Sequence, residues 1–140
     1  ADRSDVAAQP LAQPVGVSRL AIAIDESRRI VRAVRTNQPM TSVHDVTAMI
    51  AHAQSALRTL PRQRFAVLVD IRRALLADES RYAHDLVMLR RELVSGFRRS
   101  AFLVETQVGM LQTQRFAREE HLAARVYCGE AEALSYLAQI

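Results

Sequence analysis

In "FAVLVDIRRALLADES", an apolar run delivers one carboxylate, Asp70, and two guanidinium groups, Arg72 and Arg73, to the same place. Adjacent guanidinium groups are suited to holding an anion or an acidic partner, because their forked N–H donors match carboxylate and phosphate oxygens. A lone carboxylate beside them is better placed to pair with an arginine than to move protons. An enzyme would need at least two titratable groups converging on Asp70, and the sequence supplies no obvious second. It contains no glycine-rich phosphate loop, no nucleophile elbow and no paired-histidine zinc helix. His44 and His52 stand eight residues apart. That is about two helical turns, too far for one metal ion. His84 and His121 stand alone, and the single cysteine, Cys128, excludes an internal disulfide and a thiolate zinc cage. Cys128 falls in "ARVYCG", which reads as a buried strand. The residues therefore assign no catalytic group, no cofactor site and no metal site. The chain reads as non-enzymatic.

Composition narrows the partners. The chain has 140 residues, 49% of them hydrophobic and 24% charged, enough for one domain with a real core. Tryptophan is absent and aromatics make up 5%, so that core must be aliphatic. All nineteen basic residues are arginine, and the net charge is +4. The arginines are spread along the chain and often followed by acids, whereas a nucleic-acid binder clusters its charge and interleaves aromatics. Nucleic acid is not an expected partner. No apolar run reaches membrane-spanning length, and the first residues lack an apolar signal core, so cytoplasmic residence is the expectation.

The elements that position these groups follow from periodicity. Residues 1–17, with two of the four prolines, read as a flexible arm or linker, and residues 18–140 as a single domain. "LAIAIDESRRIVRAVR" reads as a β-hairpin, with Arg32 and Arg35 on opposite faces of its second strand and at least one of them near an edge. In "TSVHDVTAMIAHAQSALRTLP", Val43, Val46, Ile50, Ala53, Leu57 and Leu60 form a helical stripe, with Thr41 or Ser42 as cap and Pro61 as stop. "FAVLVDI" is too apolar to face water on either side, which suits a central strand of a parallel sheet. A helix is expected over about 80–96, with Tyr82, Leu86, Leu89, Leu93 and Phe97 inward and Gly96 as its stop. Asp78, Glu79 and Asp85 suit its positive start. A strand at "SAFLVET", a weaker helix at "GMLQTQRFAREEHL", the strand "ARVYCG" and a helix at "EAEALSYLAQI" complete the chain. The class is α/β: a mixed, mainly parallel sheet of about five strands packed by about four helices.

In such sheets, ligands gather beyond the carboxyl ends of the parallel strands. That rule places Asp70, Arg72, Arg73, Thr106, Gln107 and Arg115 on or near the rim of any site. The weaker helix lacks one clean apolar stripe, so some of its apolar surface should stay exposed, as at protein contacts. Gln112, Gln114, Arg115 and Arg118 would form a polar border.

The hairpin, the long helix, the Asp-ending strand "FAVLVDI", the run "RRSAFLVETQVGMLQTQRF" and the closing "RVYCGEAEALSYL" together resemble the small bacterial STAS-like proteins related to anti-sigma-factor antagonists, of STAS/CRAL-TRIO type. The similarity spans about residues 18–139. It implies a regulatory module that binds a protein partner through its strand-end loops and the helix at 109–122. A homodimer is compatible with it. The neighbouring branch implies the alternative, a carrier or sensor of a lipid or a small apolar or anionic ligand. Phosphorylated members carry a motif like Asp-Ser-Ser-Gly, and Asp78-Glu79-Ser80-Arg81 is the nearest match. Ser80 is thus the one candidate phosphosite. Glu79 and Arg81 depart from the motif, and Ser80 also reads as a helix N-cap.

Overall fold

The computed structural model describes residues 18–139. The arm expected over residues 1–17 lies outside them. A hairpin opens the fold: β1 (Leu20–Asp25) runs antiparallel to β2 (Ile30–Arg35), with Ala23 opposite Arg32. Asp25 sets the loop by accepting hydrogen bonds from the Ser27 hydroxyl at 2.8 Å and the Arg28 amide at 3.0 Å. Then follow α1 (Val43–Leu57), a short 3-10 turn (Arg62–Arg64), β3 (Ala66–Asp70), α2 (Leu76–Arg81), α3 (Leu86–Val94), β4 (Arg99–Leu103), α4 (Gln107–Glu119), β5 (Arg125–Tyr127) and α5 (Glu130–Leu137). The strands lie in the order β1-β2-β3-β4-β5, and β2 to β5 are parallel.

Side chains alternate across each strand, so the sheet feeds two cores. Val67 and Val69 of β3 and Phe102 of β4 face Val46, Met49, Ala53 and Leu57 of α1, and Leu86, Leu89 and Leu93 of α3. Ala66 and Leu68 of β3 and Leu103 of β4 face Ala133 and Leu137 of α5. Every residue of β3 is buried, as expected for a central strand covered on both faces. Ser42 occupies the N-cap of α1, where Asp45 accepts from the Ser42 amide at 3.3 Å and the Thr41 amide at 2.7 Å.

Four details differ from the sequence reading. The helix expected over 80–96 is two helices, separated by a turn at Tyr82–Asp85. The first is fastened by its acids: the Asp78 carboxylate accepts from the Met40 amide at 3.0 Å, and Glu79 meets Arg35. The second is oriented by Leu86, Leu89 and Leu93. Ser80 is consequently no N-cap; Leu75 holds that position and Ser80 is the fifth residue of α2. Neither Arg32 nor Arg35 is near an edge, since β2 is flanked on both sides, and both are buried against carboxylates. Finally, β5 is a short, half-exposed edge strand rather than a buried one, and Cys128 beyond it is half-buried, with its thiol 3.6 Å from the Thr106 carbonyl.

Gly96 ends α3 at a φ of +83°, a left-handed conformation that L side chains rarely adopt. Gly96→Ala should cost about 1 kcal/mol, since the neighbouring Arg62 stem leaves room and only backbone strain is added. Leu68→Ala, at a fully buried site, should cost about 3 kcal/mol through the cavity it leaves. Urea denaturation of both variants checks the order; equal losses would contradict it.

Candidate functional site

The carboxyl ends of β2, β3 and β4 lie along one edge, and two different arrangements are built there, one on each face of the sheet. Asp70 shares its face with Ala66 and Leu68, so it points toward α5. It is 5% exposed. A carboxylate so buried needs cations, and it has two. Arg72 grips it through Nε at 3.0 Å and Nη2 at 2.8 Å, and the Arg72 amide adds a third bond at 3.1 Å. Arg32 reaches across from β2 to Asp70 Oδ2 at 3.3 Å. Glu130, the first residue of α5, accepts from Arg72 at 3.2 Å and also from Arg32. Two arginines and two carboxylates thus join β2, β3 and the start of α5. Burial pushes the Asp70 carboxyl up, but the Arg72 hydrogen bonds and the charges of Arg72 and Arg32 outweigh it and hold the carboxyl below its ordinary range. The same bond to Asp70 holds the Arg72 guanidinium above its ordinary range.

On the opposite face lies a cavity of about 590 Å³, bounded by β3, β4, α2, α3 and α4. That size falls in the range of small-molecule pockets, about 300–1,000 Å³. Its inner wall is apolar: Val69, Leu89, Phe102 and Phe116. α4 closes it with side chains of mixed size: Gly109 and Thr113, four residues apart, are small, and Phe116 supplies a ring. Thr106 caps this helix, its hydroxyl oxygen accepting from the Gly109 amide at 3.0 Å.

Polar groups enter at defined points. Arg35, the last residue of β2, is 6% exposed, and its Nη1 lies 2.8 Å from Glu79 Oε1. Even so, Arg35 Nε and Glu79 Oε1 are buried and have no hydrogen-bond partner. Arg90 of α3 holds Glu120 with Nε at 2.9 Å and Nη2 at 2.6 Å, and its guanidinium stacks 4.7 Å from the centre of the Phe116 ring.

Of the rim residues expected from sequence, Arg72, Thr106 and Arg115 line this cavity, as does Ser80. Asp70 faces the other side. Arg73 and Gln107 are exposed and do not line the cavity. Arg115, itself exposed, pairs with Glu119 at 2.8 Å. Arg35, Glu79, Arg90 and Thr113 were not anticipated. No local signal singled them out: Arg35 shares "IVRAVR" with Arg32, and the face each side chain takes depends on register. Among the described residues no group of three or more His, Cys, Asp or Glu could hold a metal ion.

No protein-family model and no curated protein matches the chain. A solved structure does: an uncharacterized protein from the DUF3478 family with a SpoIIAA-like fold, from Shewanella loihica PV-4. It superposes with a TM-score of 0.61 at 18% identity, over 90% of this chain and 99% of that one. The fold is SpoIIAA-like. This agrees with the STAS-like order of elements read from the sequence, and at that identity the likeness speaks for the fold alone. Among the described residues no helix is long and apolar enough to cross a membrane.

Removing the central carboxylate charge should expose how this SpoIIAA-like frame is held. Asp70→Asn leaves the buried Arg32 and the half-buried Arg72 short of an anion, and should cost about 3 kcal/mol at pH 7. The Asp70 carboxyl lies lower in the folded than in the unfolded chain. Its contribution is therefore complete above the unfolded value, about 3.9, and is lost as pH falls through the folded one. Denaturation of both proteins from pH 7 to pH 2 should show the gap between them closing below about pH 4. A gap that stays constant would contradict this.

Proposed function

We propose that this STAS-like domain binds a small, largely apolar compound in the cavity between the sheet and α4, as a non-enzymatic carrier or sensor. The observation that carries the reading is the cavity itself. A packed interior would oppose it, whereas here an apolar space of about 590 Å³ stands open beside a ring of polar groups. It also adjoins the strand ends, where ligands collect in parallel sheets. Proton-transfer chemistry is not part of the reading, because the Asp70 carboxylate is engaged by Arg72 and Arg32.

The neutral dye N-phenyl-1-naphthylamine, which brightens on leaving water, tests the reading. It should bind saturably at one site. Thr113→Phe, which places a ring in the cavity from the inner side of α4, should weaken binding at least tenfold while thermal unfolding remains cooperative. No saturable binding, or equal binding by the variant, would overturn the proposal.

A second reading, a module that binds a protein partner through α4 and the strand-end loops, draws on two exposed side chains of that helix. Val108 is 64% and Leu111 68% exposed. Under this reading Leu111→Asp abolishes partner capture by the immobilised chain and leaves dye binding intact, since Leu111 does not line the cavity. Capture that survives Leu111→Asp contradicts it.

A further inference from the structure

The edge opposite the cavity, where the parallel strands begin, gathers arginines that lie far apart in the sequence. The register sets Ile30 beside Ala66 and Ala66 beside Arg99, so the residues just before them, Arg29, Phe65 and Arg98, enter the sheet side by side. Backbone bonds fix that row: the Ala66 amide donates to the Arg29 carbonyl at 2.9 Å, and the Arg98 amide to the Phe65 carbonyl at 2.8 Å. Arg29 and Arg98 thus stand two strand spacings apart, about 10 Å, with Arg64 one residue before the middle position. Helices α1 and α3 pack together and end at the same edge, bringing Arg58 and Arg91 to it. Arg29, Arg58, Arg64, Arg91 and Arg98 are all exposed, and among the described residues none of them has a carboxylate partner. Arg98 donates to the Leu137 carbonyl at 2.8 Å, which leaves its charge uncompensated. Of the carboxylates at this edge, Asp25 is held by Arg28 at 2.8 Å and Glu92 by Arg62 at 2.9 Å, and Glu26 is exposed. The unpaired arginines together exceed the chain's net charge of +4, so the rest of the molecule is close to balanced. Arg29 also holds a φ of +55°, a left-handed position that Gly or Asn would occupy at lower cost.

We propose that this edge docks an acidic segment of another protein. Guanidinium forks pair with carboxylates two bonds at a time, and crowded like charges favour a partner that brings the opposite sign. The span of the row, about 10 Å, is close to the width of one α-helix, about 10–12 Å. An acidic helix lying across the strand entries would meet Arg29, Arg64 and Arg98 together. Nucleic acid fits less well. Single strands are held on rings against which bases stack, and here Phe65 is buried and Phe97 lies under Arg62, whose guanidinium is 5.2 Å from the ring centre. The cavity takes no part in this contact, so the docking edge and the cavity reading are tested separately.

The experiment is fluorescence anisotropy of a labelled peptide of alternating glutamate and alanine, several helical turns long, titrated with the full chain in dilute salt at pH 7. Saturable binding is expected, and the same peptide with glutamine in place of glutamate should not bind. Arg29→Glu combined with Arg64→Glu should weaken binding at least tenfold while thermal unfolding stays cooperative. Arg73→Glu combined with Arg81→Glu, at exposed positions away from this edge, makes the same change in net charge and should weaken it less than threefold. Equal losses from the two pairs would show attraction by net charge alone and overturn the proposal, as would binding that does not saturate. A DNA duplex of equal charge bound more tightly than the peptide would overturn it in favour of nucleic acid.

Discussion

A carboxylate at the end of a doubly covered strand must be neutralised where it stands, and Asp70 imposes this on everything around it. Burying such a charge without a cation costs several kcal/mol or more. Arg72 turns back on it from the loop after β3, Arg32 reaches it from β2, and Glu130 brings the start of α5 to the same point. Glu130 also lies at the positive end of α5, where a carboxylate is favoured on its own account. One buried charge thus sets the course of the loop, the pairing of two strands at their ends and the seat of the last helix.

That arrangement has a consequence on the other face. Arg72 is held by Asp70, yet the same residue also borders the cavity. The wall of the cavity is therefore braced from behind the sheet rather than by a ligand. On the far side of the space, α4 contributes the small Gly109 and Thr113 beside the ring of Phe116, and carries Leu111 outward. Close packing is the rule in protein interiors. An apolar gap of this size contrasts with the seats of α1, α3 and α5, which are anchored by the fully buried Leu57, Leu89 and Leu137.

Much of the frame was legible in the chain because its signals are local. The run "FAVLVDI" can only be a covered strand, the stripe from Val46 to Leu57 can only be one helical face, and Gly96 marks a helix end. The break between α2 and α3 was not legible, because no proline or glycine causes it. It arises from long-range ties of Asp78 to Met40 and of Glu79 to Arg35. The site was legible as an edge but not as a surface. The crevice rule led to Arg72 and Thr106, while the face on which each side chain falls depends on register. That is why Asp70, the most conspicuous residue of the sequence, proves to be structural scaffold, and why Arg35, unremarkable in "IVRAVR", lines the cavity.

Native mass spectrometry of the purified chain, before and after incubation with decan-1-ol, tests the central claim most directly. The account predicts a discrete added mass that is lost under denaturing conditions and absent from Thr113→Phe. A chain that remains bare in both samples would contradict it.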